Sequence, residues 1–178
     1  AKFPDMKIIY GMEGYVFDDS DCIREDGTID YKKKPTNHII LLAQNQTGLK
    51  NLYKLVSFSH LYYFYKRPRL PKSVITKYRE GIIIGSACEA GEVFRAVLHD
   101  RPQEEIDAIA SFYDYLEIQP LTNNQFMIEN GTVADREGLR ELNRRIVALA
   151  DRLGKPVVAT TDAHYSEPED ALYRNILM

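Results

Sequence analysis

Thr160-Thr161-Asp162-Ala163-His164 follows the apolar run Val157-Val158-Ala159. An Asp and a His two residues apart, just past a strand end, leave the chain in one direction and can share an ion. Carboxylate with imidazole suits zinc, manganese or iron. Taken alone, such a pair is more often a loop acid capping a turn beside a surface histidine. Cys88 follows Ile82-Ile83-Ile84-Gly85-Ser86-Ala87. A thiol at a strand end ligates zinc once deprotonated, although a free cysteine is usually a small buried hydrophobe. Glu13 sits among glycines in Gly11-Met12-Glu13-Gly14, as a ligand, a general base or a plain loop acid. Glu117 interrupts the apolar run Leu116-Glu117-Ile118-Gln119. A charge placed there needs a partner. It can orient a metal ligand, or face water on an edge strand.

The remaining histidines give weaker signals. His60 falls near the end of a helical pattern, where the macrodipole favours it. His38 opens an apolar run and reads as structural; His99, beside Asp100, reads as exposed. Phe64-Tyr65-Lys66-Arg67-Pro68-Arg69 mixes aromatics with bases. Arg67 and Arg69 are candidates for phosphate or single-strand contact, against a solvated loop with tyrosines packed beneath. The chain has no phosphate-cradling glycine loop and no G-x-S-x-G motif. Each signal is weak, but three apolar runs lead to a metal-competent residue and a fourth carries an acid. That joint pattern indicates a metal site without naming a reaction.

The elements that must position these residues follow from hydrophobic patterning. Lys7–Gly11, His38–Ala43, Gly81–Ser86, Tyr115–Gln119 and Pro156–Thr160 read as strands, their near-continuous apolarity predicting burial on both faces of a parallel sheet. Between them, Leu49–Tyr63, Glu89–Leu98, Gln103–Phe112, Asp135–Leu153 and Glu169–Met178 read as helices. In the fourth, Leu139, Leu142, Ile146, Leu149 and Leu153 keep helical spacing. Thr132 with Asp135 is expected to cap it, and Gly154 and Pro156 to stop it. Alternating strands and helices predict an α/β fold. Candidate residues at the ends of several strands favour a βα-barrel over an open sheet. Five strands are too few to close one, so further strands are expected upstream. Both ends read as cut, and Lys7–Gly11 is expected to present an open edge that recruits other chains. Asp18–Pro35, polar and charged, reads as a flexible surface loop.

The bulk properties restrict the function classes. The chain has 178 residues with a net charge of −3, so a self-sufficient duplex-DNA binder is disfavoured. Two cysteines, Cys22 and Cys88, suit a reducing cytosol rather than a disulfide scaffold. No apolar run approaches a membrane span and no signal-peptide pattern is seen.

Tyr10-Gly11-Met12-Glu13-Gly14, His38-Ile39-Ile40-Leu41-Leu42-Ala43-Gln44-Asn45 and Gly48-Leu49-Lys50-Asn51-Leu52 resemble the PHP (polymerase and histidinol phosphatase) domain of bacterial DNA polymerase III alpha subunits. His60-Leu61-Tyr62-Tyr63-Phe64-Tyr65, Gly85-Ser86-Ala87-Cys88-Glu89-Ala90-Gly91-Glu92, Leu116-Glu117-Ile118-Gln119-Pro120 and Thr161-Asp162-Ala163-His164-Tyr165 are similar to its PolC branch. The resemblance runs from about Met6 to the C-terminus. It implies a distorted, TIM-like βα-barrel, incomplete at its N-terminus here, spanning 1–178 as one PHP domain. It also implies up to three divalent ions in the complete domain, with Glu13, His60, Cys88, Asp162 and His164 as ligand positions and Glu117 supporting them.

The family's H-x-H and T-D-H motifs are absent from this sequence, so fewer ions are expected. Only the 18–35 loop stands where an exonuclease insert is common. The resemblance implies a cytoplasmic bacterial replication protein, with the remainder of a polymerase chain as partner and DNA reached through it. The chain itself is not expected to polymerise. The alternatives are a free-standing phosphatase of small phosphate monoesters and a structural module with a vestigial metal site.

Overall fold

Along Asn37–Ala43, side chains alternate between buried and half-buried, the period-two signature of a strand with two unlike faces. Ile39 and Leu41 are fully buried, whereas His38, Ile40 and Leu42 point the other way. The computed structural model describes residues 6–22, 31–32 and 34–177. Among the described residues, six strands carry the sheet: β1 (Gly11–Phe17), β2 (Asn37–Ala43), β3 (Leu70–Pro71), β4 (Ile82–Gly85), β5 (Leu116–Ile118) and β6 (Val157–Ala159). Seven described helices accompany them: α1 (Gln46–Leu61), α2 (Lys72–Lys77), α3 (Glu92–Leu98), α4 (Gln103–Ser111), α5 (Phe126–Glu129), α6 (Arg136–Leu153) and α7 (Asp170–Leu177).

The strands run in the order β3-β1-β2-β4, with β5-β6 as a second ladder. An isolated parallel bridge, Gly85 to Tyr115, joins the two. Contrary to the all-parallel expectation, β2 is antiparallel to both β1 and β4, while β5 and β6 are parallel. Reversing β2 still lets β1, β4, β5 and β6 run the same way. The strand expected at Lys7–Gly11 is displaced: residues 7–10 are irregular and exposed, and β1 begins at Gly11. The glycines at 11 and 14 are inside this strand because its neighbours crowd it. A Cβ on Gly11 would lie 2.5 Å from Leu42 Cδ2. β3 pairs with β1 only at Val16 and Phe17, so the edge over Gly11–Tyr15 has no partner among the described residues.

The helices cover one face. Leu52 and Leu55 of α1 and Leu139, Leu142, Ile146 and Leu149 of α6 join Ile39, Leu41 and Ile84 in one apolar cluster. Asn45 caps α1 by accepting from Gly48 N (2.9 Å), and Asp135 caps α6 by accepting from Gly138 N (2.9 Å). Thr132 is not part of that cap; its hydroxyl donates to Asn130 Oδ1. Gly154 ends α6 at φ 63°. The second face is not covered by any described helix, so burial on both faces, as sequence reading expected, does not hold for β1 and β2.

Of the polar loop at 18–35, residues 23–30 and Lys33 lie outside the described residues. Its described ends are anchored rather than loose. Asp19 is buried and accepts from the backbone N–H (3.0 Å) and hydroxyl of Ser73. Arg69, 3% exposed, donates to the carbonyls of Lys32 and Lys34. No described helix is long and apolar enough to cross a membrane.

Candidate metal centre

The uncovered sheet face carries Glu13 and Tyr15 from β1, His38 and Ile40 from β2, and Glu117 from β5. Antiparallel register places Glu13 opposite Ile40 and Tyr15 opposite His38. Glu13 Oε1 lies 2.9 Å from His38 Nδ1, and the His38 ring meets Tyr15 edge-on at 5.1 Å. The turn after β4 brings the thiol to them. His38 N donates to Ala90 O (2.9 Å), and Gly91 N donates to Cys88 O (2.8 Å). Gly91 packs against Ser86 O so closely that a Cβ would fall 2.1 Å from it. Ala87 adopts φ 59°, costly for a residue with a Cβ. The result sets Cys88 Sγ 3.4 Å from the same His38 Nδ1. One ring nitrogen thus faces both a carboxylate oxygen and a sulfur.

Cys88 belongs to two groups whose ligand atoms lie within 4.8 Å of one another: Glu13, His38 and Cys88, and Cys88, Glu89 and Asp162. Burial pushes the Cys88 thiol up to about 12, against a lowering hydrogen bond from the Ala90 backbone. Without a cation the group therefore stays a thiol at neutral pH. Glu89 Oε2 is buried without a hydrogen-bond partner. Glu117 is 6% exposed; its Oε2 accepts from Thr160 Oγ1 (2.9 Å), and its backbone N–H donates to Ser86 Oγ. Glu117 Oε1 has no partner in hydrogen-bonding geometry. Burial raises its carboxyl above the ordinary value, while Thr160 and the adjacent Tyr115 phenol oppose that shift. A cavity of about 320 Å³ is lined by Glu13, Cys88, Glu117 and Asp162 together with apolar Ile40 and Leu42. Soft sulfur, imidazole and unsatisfied carboxylate oxygens form a donor set that fits a zinc-like divalent ion.

The sequence candidates separate accordingly. Glu13, Cys88 and Asp162 converge, although Glu13 lies within β1 rather than beyond its end. Asp162 sits at φ 49°, and its Oδ2 accepts from Asn123 Nδ2 (3.2 Å). His164 is exposed, with Nδ1 2.6 Å from Asp162 O, and lines the adjoining cavity outside both ligand groups. His60 is also outside them. It is exposed on α1, its Nδ1 2.9 Å from Val56 O of the same helix. The reason is topological: α1 covers the sheet face opposite Glu13.

Arg69 is a structural residue, because its fork is occupied by backbone carbonyls and its guanidinium stacks on Phe17 at 5.1 Å. Arg67 is exposed, with its guanidinium 4.6 Å from the Tyr15 ring centre. His38 and Glu89 were missed by sequence reasoning. The period-two alternation placing His38 with Ile40 and Leu42 was the available signal; Glu89 had only its adjacency to Cys88.

The chain has informative relatives. The PHP domain profile matches residues 1–130. DNA polymerase III PolC-type of Clostridium perfringens is 62% identical over 150 residues, covering 84% of this chain and 10% of that protein. The proteins of the same name from Halalkalibacterium halodurans and Bacillus subtilis are 52% and 51% identical, covering 85% and 83% of this chain and 10% of each relative. The chain thus spans about a tenth of the length of the curated relatives it matches. With the profile matched over residues 1–130, the chain belongs to the PHP domain family.

Proposed function

We propose that this chain is the metal-binding PHP module of a PolC-type bacterial replicative DNA polymerase III, a cytoplasmic protein whose remaining chain is its partner and its route to DNA. The observation that carries the reading is Cys88, shared by two ligand groups on the uncovered sheet face. That face suits the interior of a βα-barrel completed by further strands, with the ions at its mouth. Zinc, manganese and iron all fit mixed sulfur, nitrogen and oxygen donors. A divalent ion held here supplies Lewis acidity and lowers the pKa of bound water, the chemistry of phosphoester hydrolysis.

The chain's own residues do the positioning. Asn123 orients Asp162, and Thr160 orients Glu117 at the cavity wall. The charge of −3 supports a chain that does not itself polymerise.

Zinc and manganese titrations of the purified chain test this reading. Cys88→Ser and Asp162→Asn should each weaken binding by at least the roughly 10- to 100-fold that loss of a group supporting a ligand costs at comparable sites. Equal binding by wild type and both variants rejects the site. Hydrolysis of a small monoester such as p-nitrophenyl phosphate by the loaded chain would favour the phosphatase alternative. Tight metal binding without any hydrolysis would favour a structural role.

A further inference from the structure

Between Asp30 and Glu80 the chain carries eleven lysines and arginines and no acid, although its net charge is −3. Part of this run forms the outer side of α1. Leu52, Leu55 and Ser59 are buried toward the sheet. Lys50, Lys54 and Phe58, with Tyr62 at the helix end, share another stripe at four-residue spacing. Phe58 touches Tyr62 on one side and Tyr78, the residue that closes α2, on the other, with ring centres 5.8 and 5.2 Å apart. Lys54 and Lys77 hold their ammoniums 5.3 and 5.7 Å from the Tyr78 ring centre. Beside these rings on α1, Leu61 is 73% exposed, Tyr62 64% and Tyr53 61%. Lys72 and Arg79 of the same basic run are paired with Glu92 and Asp114, whereas Lys50, Lys54 and Lys77 have no ion-pair partner among the described residues. Exposed tyrosines and an exposed leucine gathered among such cations mark an interaction surface.

We infer that this α1–α2 surface docks an acidic, amphipathic segment of a partner protein, its carboxylates on Lys50, Lys54 and Lys77 and its apolar side chains on Tyr53, Leu61 and Tyr62. Carboxylates answer the unpaired ammoniums. A nucleic-acid strand needs open ring faces for its bases. Here ammoniums stand over Tyr78, Phe58 is half-buried between two rings, and Leu61 has no ring. A second copy of this chain is a poor source of acid, because Glu105, Asp107 and Glu137 are already paired with Arg101, Arg152 and Arg140. Because α1 packs on the sheet face opposite Glu13, an occupant here leaves the metal centre undisturbed.

Fluorescence anisotropy with the purified chain tests the proposal. The probe is a fluorescein-labelled helical peptide with glutamates along one side and leucine and phenylalanine along the other. The chain should bind it on the order of tenfold more tightly than the same peptide with glutamine in place of glutamate. Raising the salt from about 50 to 500 mM should weaken the glutamate complex more than the glutamine one. Lys54→Glu combined with Lys77→Glu should weaken binding by roughly tenfold or more, because like charges then face each other. Leu61→Ser should weaken both complexes through lost apolar contact. All three side chains are exposed, so melting temperature and manganese affinity should match those of the wild type. No binding of the glutamate peptide by wild type overturns the inference, as does binding that survives these variants or fails to distinguish glutamate from glutamine. Tighter binding of oligothymidylate, lost in the same variants, assigns the surface to nucleic acid and also overturns it. Self-association of the chain abolished by the lysine substitutions assigns the surface to a second copy, with the same consequence.

Discussion

Cys88 and His38 show how a site can be half legible in the chain. Cys88 was recognisable as a thiol just past an apolar run. Its significance depends on His38 Nδ1 standing 3.4 Å away, 50 residues distant in sequence. Because burial holds the thiol at about 12, metal binding must expel its proton. Affinity should rise about tenfold per pH unit between roughly pH 7 and 8.5, the linkage for one released proton. Cys88→Ser should flatten that slope in a competition assay with a metal indicator. Glu117 has the opposite consequence for stability. Its folded-state pKa is raised, so the stability it contributes is complete below the ordinary glutamate value of about 4.3 and is lost as pH rises through the raised value. With a chelator present, Glu117→Gln should raise the melting temperature at pH 7 and leave it nearly unchanged at pH 4. An equal gain at both pH values would contradict this assignment.

Among the elements, α6 was readable because its ends carry explicit signals. The Asp135 cap, the Leu139–Leu149 stripe and Gly154 locate α6 almost to the residue. Asp135→Ala should cost about 1 kcal/mol of stability, read from denaturant melts. The α1 start is more constrained than its sequence suggests. A Cβ on Gly48 would fall 1.8 Å from Gly81 O, a backbone atom that cannot rotate aside. Gly48→Ala should therefore reach the upper end of the ~1–3 kcal/mol overpacking range, a melting-temperature loss of roughly 5–10 °C in a chain of this size. A loss no larger than that of Asp135→Ala would show that this contact relaxes easily. The β1 boundary was misread because Lys7-Ile8-Ile9-Tyr10 is more apolar than Gly11–Tyr15. Cross-strand pairing with β2, rather than propensity, selects the latter.

The whole molecule has one covered and one uncovered sheet face, and β6 pairs with β5 alone among the described strands. Val158, 40% exposed, lies on this strand opposite Glu117. An open edge beside an exposed apolar side chain invites another chain. Light scattering should show concentration-dependent association, reduced by Val158→Lys. A monodisperse monomer at about 100 µM would place the liability elsewhere.

The alternation of apolar runs with helical stripes, the Asp135 cap and the ends of the runs at Cys88 and Asp162 could all be read directly, because each depends on residues close in sequence. That legibility extended to the α/β class and to part of the metal centre. Strand direction could not be read: whether β2 runs with or against β1 depends on how the chain crosses the sheet, and a continuous apolar run looks the same either way. The antiparallel placement turned His38 toward Glu13 and Cys88, while packing α1 on the opposite face carried His60 away. Ligand identity is a property of distances between strands, and those distances exist only after the sheet has formed.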